Sequence, residues 1–145
     1  MRLPLAALAI VPSVALTLSF LPLHAPAQNQ AAPHARVIAL DSAGKTELPI
    51  LTGPPETVTM RSGLIALTAG SSVGKHSTGL HEEILIVLEG RGRMSFADGT
   101  SLPVEAGHAV YCPPETEHNV TNTGSALLRY VYVVSSAPAS GDADR

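Results

Sequence analysis

Cysteine is almost absent from this chain of 145 residues, and Cys112 is the single one. No disulfide can therefore form within the chain, and the fold must be held by an apolar core, or by such a core together with a bound metal. The hydrophobic fraction of 45% is sufficient for a core of this kind. The length allows one domain and leaves no room for a second.

Charge is also sparse, because only 14% of the residues are Asp, Glu, Lys or Arg, and the formal net charge is -3. No segment carries a cluster of basic residues. This composition excludes nucleic acid and anionic lipid surfaces as expected partners. A small-molecule ligand or substrate remains as the expected partner.

The sequence lacks an internal repeat of fixed period and any segment with the apolar spacing of an amphipathic helix. It contains instead short segments of β-branched and aromatic residues, separated by Gly, Pro, Asp and Asn. Such spacing predicts an all-β fold, either a sandwich or a barrel. The segments are ARVIAL, TVTMRSGLIALTA, EEILIVLEG, GRMSF, AVYC and LLRYVYVV.

Three of these segments allow more detailed predictions. Asp98 and Gly99 predict a two-residue hairpin loop between GRMSF and TSLPV. Residues 84–88, ILIVL, are apolar at every position and predict a strand that is covered on both faces. Residues 127–134 alternate, and one face of that strand would carry Leu128, Tyr130, Tyr132 and Val134.

The N-terminus has the pattern of a secretory signal over residues 1–27. Arg2 is followed by a long apolar stretch and then by small residues that end at Ala27. A membrane anchor is the alternative, since the stretch is nearly long enough to span a bilayer, but three prolines interrupt it. We expect cleavage near Ala27, a mature chain that begins near Gln28, a secreted or periplasmic location, and no membrane association after cleavage.

The rest of the chain divides into three parts by composition. Residues 28–35 are polar and small, and predict a disordered lead-in, as residues 137–145 predict a disordered tail. Residues 36–136 are the predicted β-domain.

The residues that carry chemistry are histidines and glutamates in two stretches. Imidazole and carboxylate groups together suit first-row divalent metals. In an extended strand His81 and Glu83 share a face, whereas Glu82 points to the opposite one. His76 precedes this strand across a bend, and His118 follows a turn that contains two prolines.

These two stretches resemble the two sequence motifs of the cupin superfamily. The first motif is written G-x5-H-x-H-x3/4-E-x6-G, and Gly70, His76, Glu83 and Gly90 match it. Thr78 stands where the second histidine is expected.

The second motif is written G-x5-P-x-G-x2-H-x3-N. Gly107, Pro113, His118 and Asn122 match it, and Glu115 stands at its internal glycine. The resemblance therefore rests on two independently spaced motifs in the expected order.

The resemblance runs from about residue 63 to residue 134. It implies a small double-stranded β-helix, a jelly-roll-like barrel, in which His76, Glu83 and His118 are metal ligands that face the interior. The inside of such a barrel can hold one small ligand. Iron, manganese, nickel, zinc or copper would accept this donor set, so the identity of the metal stays open.

Thr78 counts against a metal site with four protein ligands, because a hydroxyl is a poor metal ligand beside imidazole. The site would then have three protein ligands and more open positions, or no metal. His81 is a candidate substitute ligand, since it shares a face with Glu83.

Neighbouring residues are assigned structural roles. Glu82 is expected to be a solvated charge, Glu115 and Glu117 to lie at the surface, and Cys112 to pack in the barrel rather than to act as a thiolate. Tyr111 either faces the cavity and contacts ligand, or packs between the sheets.

Three functions remain open at this stage. The chain is a metal-dependent enzyme such as an oxygenase or isomerase, a non-catalytic module that binds a small ligand, or a structural or storage protein. A homodimer formed through unpaired sheet edges is the expected assembly.

Overall fold

The structure, a computed structural model, describes residues 32–136. The predicted signal peptide, residues 28–31 of the lead-in and the tail at 137–145 lie outside the described residues. Within 32–136 no helix has the length and hydropathy that a membrane span requires. The strands in this range are β1 Glu47–Thr52, β2 Arg61–Leu67, β3 His76–Ser77, β4 His81–Glu89, β5 Arg91–Phe96, β6 Ser101–Glu105, β7 Ala109–Cys112, β8 Glu117–Thr121 and β9 Leu128–Ser136.

The strands form two antiparallel sheets. One sheet has five strands in the order β1-β2-β9-β4-β7, and the other has four in the order β3-β8-β5-β6. Strand β9, the last strand within residues 32–136, lies between β2 and β4, so the end of this range closes onto its middle. The all-β prediction is confirmed.

The core lies between the two sheets. Strand β9 alternates as predicted, with Leu128 and Tyr130 buried on the inner face. On neighbouring β4, Leu85 and Val87 point to the same interior, where they meet Met94 of β5 from the opposite sheet. The period of two in β9 therefore places its aromatic side chains inside the barrel.

The prediction that residues 84–88 are covered on both faces is wrong. Leu85 and Val87 are buried, but Ile84, Ile86 and Leu88 are 38%, 45% and 44% exposed. The reason is that β4 belongs to an antiparallel sheet with one face on the core and one face toward solvent. An apolar residue on the outer face leaves no signal in the sequence that would distinguish it from a core residue.

The prediction of a two-residue hairpin loop is also wrong, because four residues, 97–100, separate β5 from β6. The amide of Phe96 donates to the carbonyl of Thr100 at 3.0 Å, and Gly99 takes a φ of 84°. This is the geometry of a turn followed by a left-handed residue, which glycine adopts without steric cost. Asp98 has the expected turn role, since its carboxylate accepts hydrogen bonds from the amide and hydroxyl of Thr100.

Asn122 holds the connection between β8 and β9. Its side chain is 1% exposed, and its amide nitrogen donates to the carbonyls of Leu67 and Ala126, both at 2.8 Å. Its side-chain oxygen accepts from the amide of Gly124 at 2.8 Å. One side chain thus satisfies three backbone groups that secondary structure does not pair.

We expect Asn122→Ala to lower the free energy of unfolding by about 2–4 kcal/mol, because the substitution removes the side-chain donor to the carbonyls of Leu67 and Ala126 and one acceptor of the Gly124 amide. Urea unfolding followed by circular dichroism measures the loss. Asn119→Ala on the preceding strand β8 is the control, since no hydrogen bond to its side-chain oxygen is formed within residues 32–136. Equal losses in the two variants would contradict the assigned role.

Candidate metal centre

Three side chains converge inside the barrel: His76 of β3, Glu83 of β4 and His118 of β8. Each offers one ligand atom, and these atoms all lie within 4.8 Å of one another. The pairing of β3 with β8 sets His76 opposite His118, and their ring centroids are 4.3 Å apart. Glu83 comes from the other sheet, and its Oε2 lies 3.2 Å from Nε2 of His118. The cluster therefore joins the two sheets.

Burial differs strongly among the three residues. His118 is 2% and Glu83 8% exposed, whereas His76 is exposed. Burial alone lowers the pKa of His118, but its hydrogen bonds with Glu83 and the carbonyl of Thr116 outweigh that effect, so its pKa is raised. The buried carboxylate thus has a partner, as burial of a charge requires.

Backbone carbonyls orient both imidazoles. Nδ1 of His76 lies 3.1 Å from the carbonyl oxygen of Gly74, and Nδ1 of His118 lies 3.1 Å from that of Thr116. Because a carbonyl only accepts hydrogen bonds, each Nδ1 carries the proton in the neutral ring. Each Nε2 is then the nitrogen left for a metal, and without a metal Nε2 of His118 donates to the carboxylate of Glu83, so that metal binding would release this proton.

These residues fit a divalent metal ion. Two imidazoles and one carboxylate form a donor set that first-row metals accept, and donor–metal distances are about 2.0–2.2 Å for nitrogen and oxygen ligands. Such distances need ligand atoms about 3–4 Å apart. The separations here, at most 4.8 Å, are close to that requirement.

Thr78 occupies the place of the expected second histidine, but its hydroxyl is already engaged. Oγ1 donates to the carbonyl of Pro113 at 2.9 Å and accepts from the amide of Thr116 at 2.9 Å. The residue is 8% exposed. Since the carbonyl of Thr116 orients His118, Thr78 braces the turn that positions this ligand. Sequence reasoning missed this role, which rests on contacts with residues far along the chain.

His81 begins β4 and lines the same cavity as the cluster. It shares a face with Glu83, as predicted, but lies outside the group of three whose ligand atoms meet within 4.8 Å. Its Nδ1 is buried and has no hydrogen-bond partner in the part of the chain that the structure describes. The assignment of His81 as a ligand stays a prediction.

Glu82 and Tyr111 lie on the outer face of the sheet, away from the cluster. The hydroxyl of Tyr111 donates to Oε2 of Glu82 at 3.1 Å, and Tyr111 is 55% exposed. The outward direction predicted for Glu82 is confirmed. Both alternatives predicted for Tyr111, contact with a ligand in the cavity and packing between the sheets, are wrong. Strand β7 lies beside β4 in the same sheet, and Tyr111 is on the face that both strands turn toward solvent.

The residues around the second motif have the structural roles expected of them. Glu115 is exposed, and Glu117 forms a surface ion pair with Lys75 at 3.6 Å. Cys112 is fully buried with its sulfur 3.2 Å from that of Met94. Burial, with a smaller contribution from Glu83, raises the pKa of the Cys112 thiol to about 11, so it is no thiolate at neutral pH.

The cluster lies in the wall of a cavity of about 550 Å³ between the sheets. Tyr130 and Tyr132 of β9 also line this cavity, and Tyr132 donates its hydroxyl to Oε1 of Glu47 at 2.9 Å. Burial and this hydrogen bond raise the pKa of Tyr132 to about 12, and burial raises that of Tyr130. Sequence reasoning missed Glu47, which lies in β1, outside both motifs.

Residues 63–134 match the family model described as the cupin domain. The chain belongs to the cupin superfamily. The match begins and ends where the motif resemblance does, so the predicted family and its barrel fold are confirmed.

A curated relative of this cupin is an uncharacterised protein of Methanocaldococcus jannaschii, 38% identical over 60 residues. That match covers 41% of this chain and 47% of the relative, so the chain spans about half the length of the relative.

Three solved structures show the same fold. A cupin 2 conserved barrel domain protein from Salinispora arenicola has a TM-score of 0.61 at 23% identity, covering 72% of this chain and 92% of its own. An RmlC-like cupin from Methanocaldococcus jannaschii has a TM-score of 0.59 at 20% identity, with coverages of 70% and 91%. A predicted oxalate decarboxylase from Thermotoga maritima has a TM-score of 0.51 at 21% identity, with coverages of 69% and 100%.

In this cupin we expect Thr78→Val to lower the free energy of unfolding of the metal-free protein by about 1–3 kcal/mol. Valine has the shape of threonine but leaves the carbonyl of Pro113 and the amide of Thr116 without their partner. Thr78→Ser retains the hydroxyl and is expected to lose less than about 1 kcal/mol. Urea unfolding of the three proteins measures the difference, and a serine variant as unstable as the valine variant would argue against the brace.

Proposed function

We propose that this cupin binds a divalent metal ion through His76, Glu83 and His118 and acts on a small molecule in its cavity, as a metal-dependent oxygenase or isomerase. The observation that supports the proposal is the convergence of three donors, with Nδ1 of both imidazoles already engaged by backbone carbonyls, in the wall of a cavity of about 550 Å³. A cavity of this size suits one small ligand.

Each of the three residues has a distinct task. Glu83 supplies the negative charge that balances a cation inside the barrel, and it is buried enough for that charge to act in a low dielectric. His118 joins this carboxylate to the second sheet. His76 is the exposed member, so the ligand and the metal can approach from its side.

A divalent ion bound there would supply Lewis acidity toward an oxygen atom of the ligand. The protein contributes orientation and exclusion of water. The carbonyls of Gly74 and Thr116 hold the imidazole rings, and apolar side chains of the cavity wall, among them Ile65 and Leu85, limit solvent access.

A non-catalytic module that binds a small ligand is the second candidate. One observation favours it: the hydroxyl of Thr78 is fully engaged with the backbone, so the protein presents three converging donors rather than four. The two candidates differ in whether a ligand is converted. Removal of the metal abolishes turnover in an enzyme, whereas a binding module retains affinity for its ligand.

We expect protein purified without an affinity tag to contain roughly one metal ion per chain, as three convergent protein ligands support. Elemental analysis measures the content. His118→Ala should weaken metal affinity by at least about tenfold, because it removes a donor. His108→Ala, at an exposed histidine outside the cavity, is the matched control and should leave affinity unchanged. His81→Ala lowers affinity only if His81 is also a ligand.

Metal content well below one ion per chain that reconstitution does not raise would overturn the proposed metal site. Where the metal is bound, a screen of small oxidisable compounds decides between enzyme and binding module.

We also propose that the chain is exported and forms a homodimer. Export rests on the composition of residues 1–27, and the dimer on the outer edges of β1 and β7, which pair with no further strand in the described range 32–136. We expect the chain produced in a secreting bacterial host to begin near Gln28, which the intact mass measures. Sedimentation of the same preparation measures the assembly, and an uncleaved chain or a monomer would refute the respective proposal.

A further inference from the structure

Tyr130 is a largely buried residue whose hydroxyl is open to the cavity. The residue is 3% exposed and lines the cavity. Tyr111 and Tyr132 donate their hydroxyls to glutamates, but no hydrogen bond to the Tyr130 hydroxyl is formed within residues 32–136. Buried tyrosine hydroxyls ordinarily find a partner. A molecule bound in this cavity can therefore accept a hydrogen bond from the Tyr130 hydroxyl.

Tyr132 presents a second polar group to the same space. Its ring lies over Gly63, where a Cβ atom would be 2.7 Å from Cε1 of Tyr132, so the absence of a side chain at Gly63 admits the ring. The ring extends toward β1, and its hydroxyl donates to Oε1 of Glu47 at 2.9 Å. Because that proton is committed, the Tyr132 oxygen and the Glu47 carboxylate offer acceptors to a ligand.

The two groups differ in hydrogen-bonding character. Tyr130 has a proton to donate, whereas the pair of Tyr132 and Glu47 accepts. The two tyrosines are two residues apart on one face of β9, so their Cα atoms are about 6.6 Å apart. A ligand that satisfies both must carry an acceptor oxygen and a hydroxyl a few atoms from each other.

We propose that Tyr130, Tyr132 and Glu47 form a ligand subsite for a small neutral hydroxycarbonyl compound, in which Tyr130 donates to the carbonyl oxygen and the pair of Tyr132 and Glu47 accepts from the hydroxyl. The assignment rests on the proposed function, since it names the class of molecule that the metal centre would act on or hold.

The charges around the subsite favour a neutral ligand. Glu47 and Glu83 are the carboxylates whose charges act on the Tyr130 hydroxyl. With a cation balancing Glu83, a carboxylate ligand placed beside that hydroxyl would still meet the like charge of Glu47, which disfavours it. A neutral carbonyl oxygen accepts the hydrogen bond without this repulsion.

The experiment uses hydroxyacetone and acetone as probes, titrated into zinc-loaded and metal-free protein and followed by NMR chemical shifts. Acetone has the carbonyl group but lacks the hydroxyl. The proteins compared are wild type, Tyr130→Phe, Tyr132→Phe and, as matched control, Tyr111→Phe, which removes the same hydroxyl on the outer face. Elemental analysis and thermal unfolding of each protein establish that metal and fold are retained.

We expect Tyr130→Phe to weaken binding of both probes about threefold to tenfold, the loss of one neutral hydrogen bond. Tyr132→Phe should reduce the preference for hydroxyacetone over acetone by a similar factor and leave acetone binding unchanged. Tyr111→Phe should bind both probes as wild type does. The different patterns of the two cavity variants keep the result interpretable even if one of them is destabilised.

Equal affinity of wild type and Tyr130→Phe for both probes would overturn the subsite, as would the absence of measurable hydroxyacetone binding by zinc-loaded wild type. The proposed function fails separately. If wild type takes up no metal yet binds hydroxyacetone in a manner that depends on Tyr130, the metal site is refuted and the subsite stands. If metal is bound but Tyr130 has no effect on the probes, the subsite is refuted and the metal site stands.

Discussion

The contact between His118 and Glu83 is the interaction on which the organisation of the barrel interior depends. It joins the two sheets at 3.2 Å between Nε2 and Oε2, and both side chains are buried. A buried carboxylate is costly unless it is paired or coordinates a metal, and the two sheets must therefore meet at a defined distance and register. The backbone pairing of β3 with β8 then adds His76 to the same point.

Other features of the structure hold this contact in place. Thr78 braces the turn before His118, and Asn122 secures the chain just after β8. Both residues belong to the motif segments, yet neither is one of the three side chains that converge as candidate metal ligands. Each serves instead by satisfying backbone groups that strand pairing leaves open. The conformation of the segment that carries His118 is thus specified from both ends.

The family and the barrel could be predicted, and the convergence of His76, Glu83 and His118 expected, because the signals are short motifs. Each motif spans one turn between two neighbouring strands, and the alternation of β9 is visible because apolar and polar residues follow each other in its sequence. The roles of Glu47 and Thr78 could not be predicted in this way. Glu47 meets Tyr132 only because β1 and β9 both flank β2, and Thr78 meets Pro113 across a pairing that no local pattern encodes.

The apolar outer face of β4 has a consequence for how the sheet selects its register. Hydrophobic patterning normally fixes register, because a slip of one residue moves the apolar set from the core to solvent. In β4 both faces are apolar, so the same slip would bury Ile84 and Ile86 and carry Glu82 inward in place of Glu83, with little loss of hydrophobic burial. The pattern of β4 alone therefore does not choose which glutamate reaches the histidines. That choice falls to polar contacts: in the observed register Oε2 of Glu83 lies 3.2 Å from Nε2 of His118, whereas Glu82 accepts from Tyr111 on the outer face. A buried polar contact, rather than the hydrophobic pattern of the strand, distinguishes the carboxylate of the site.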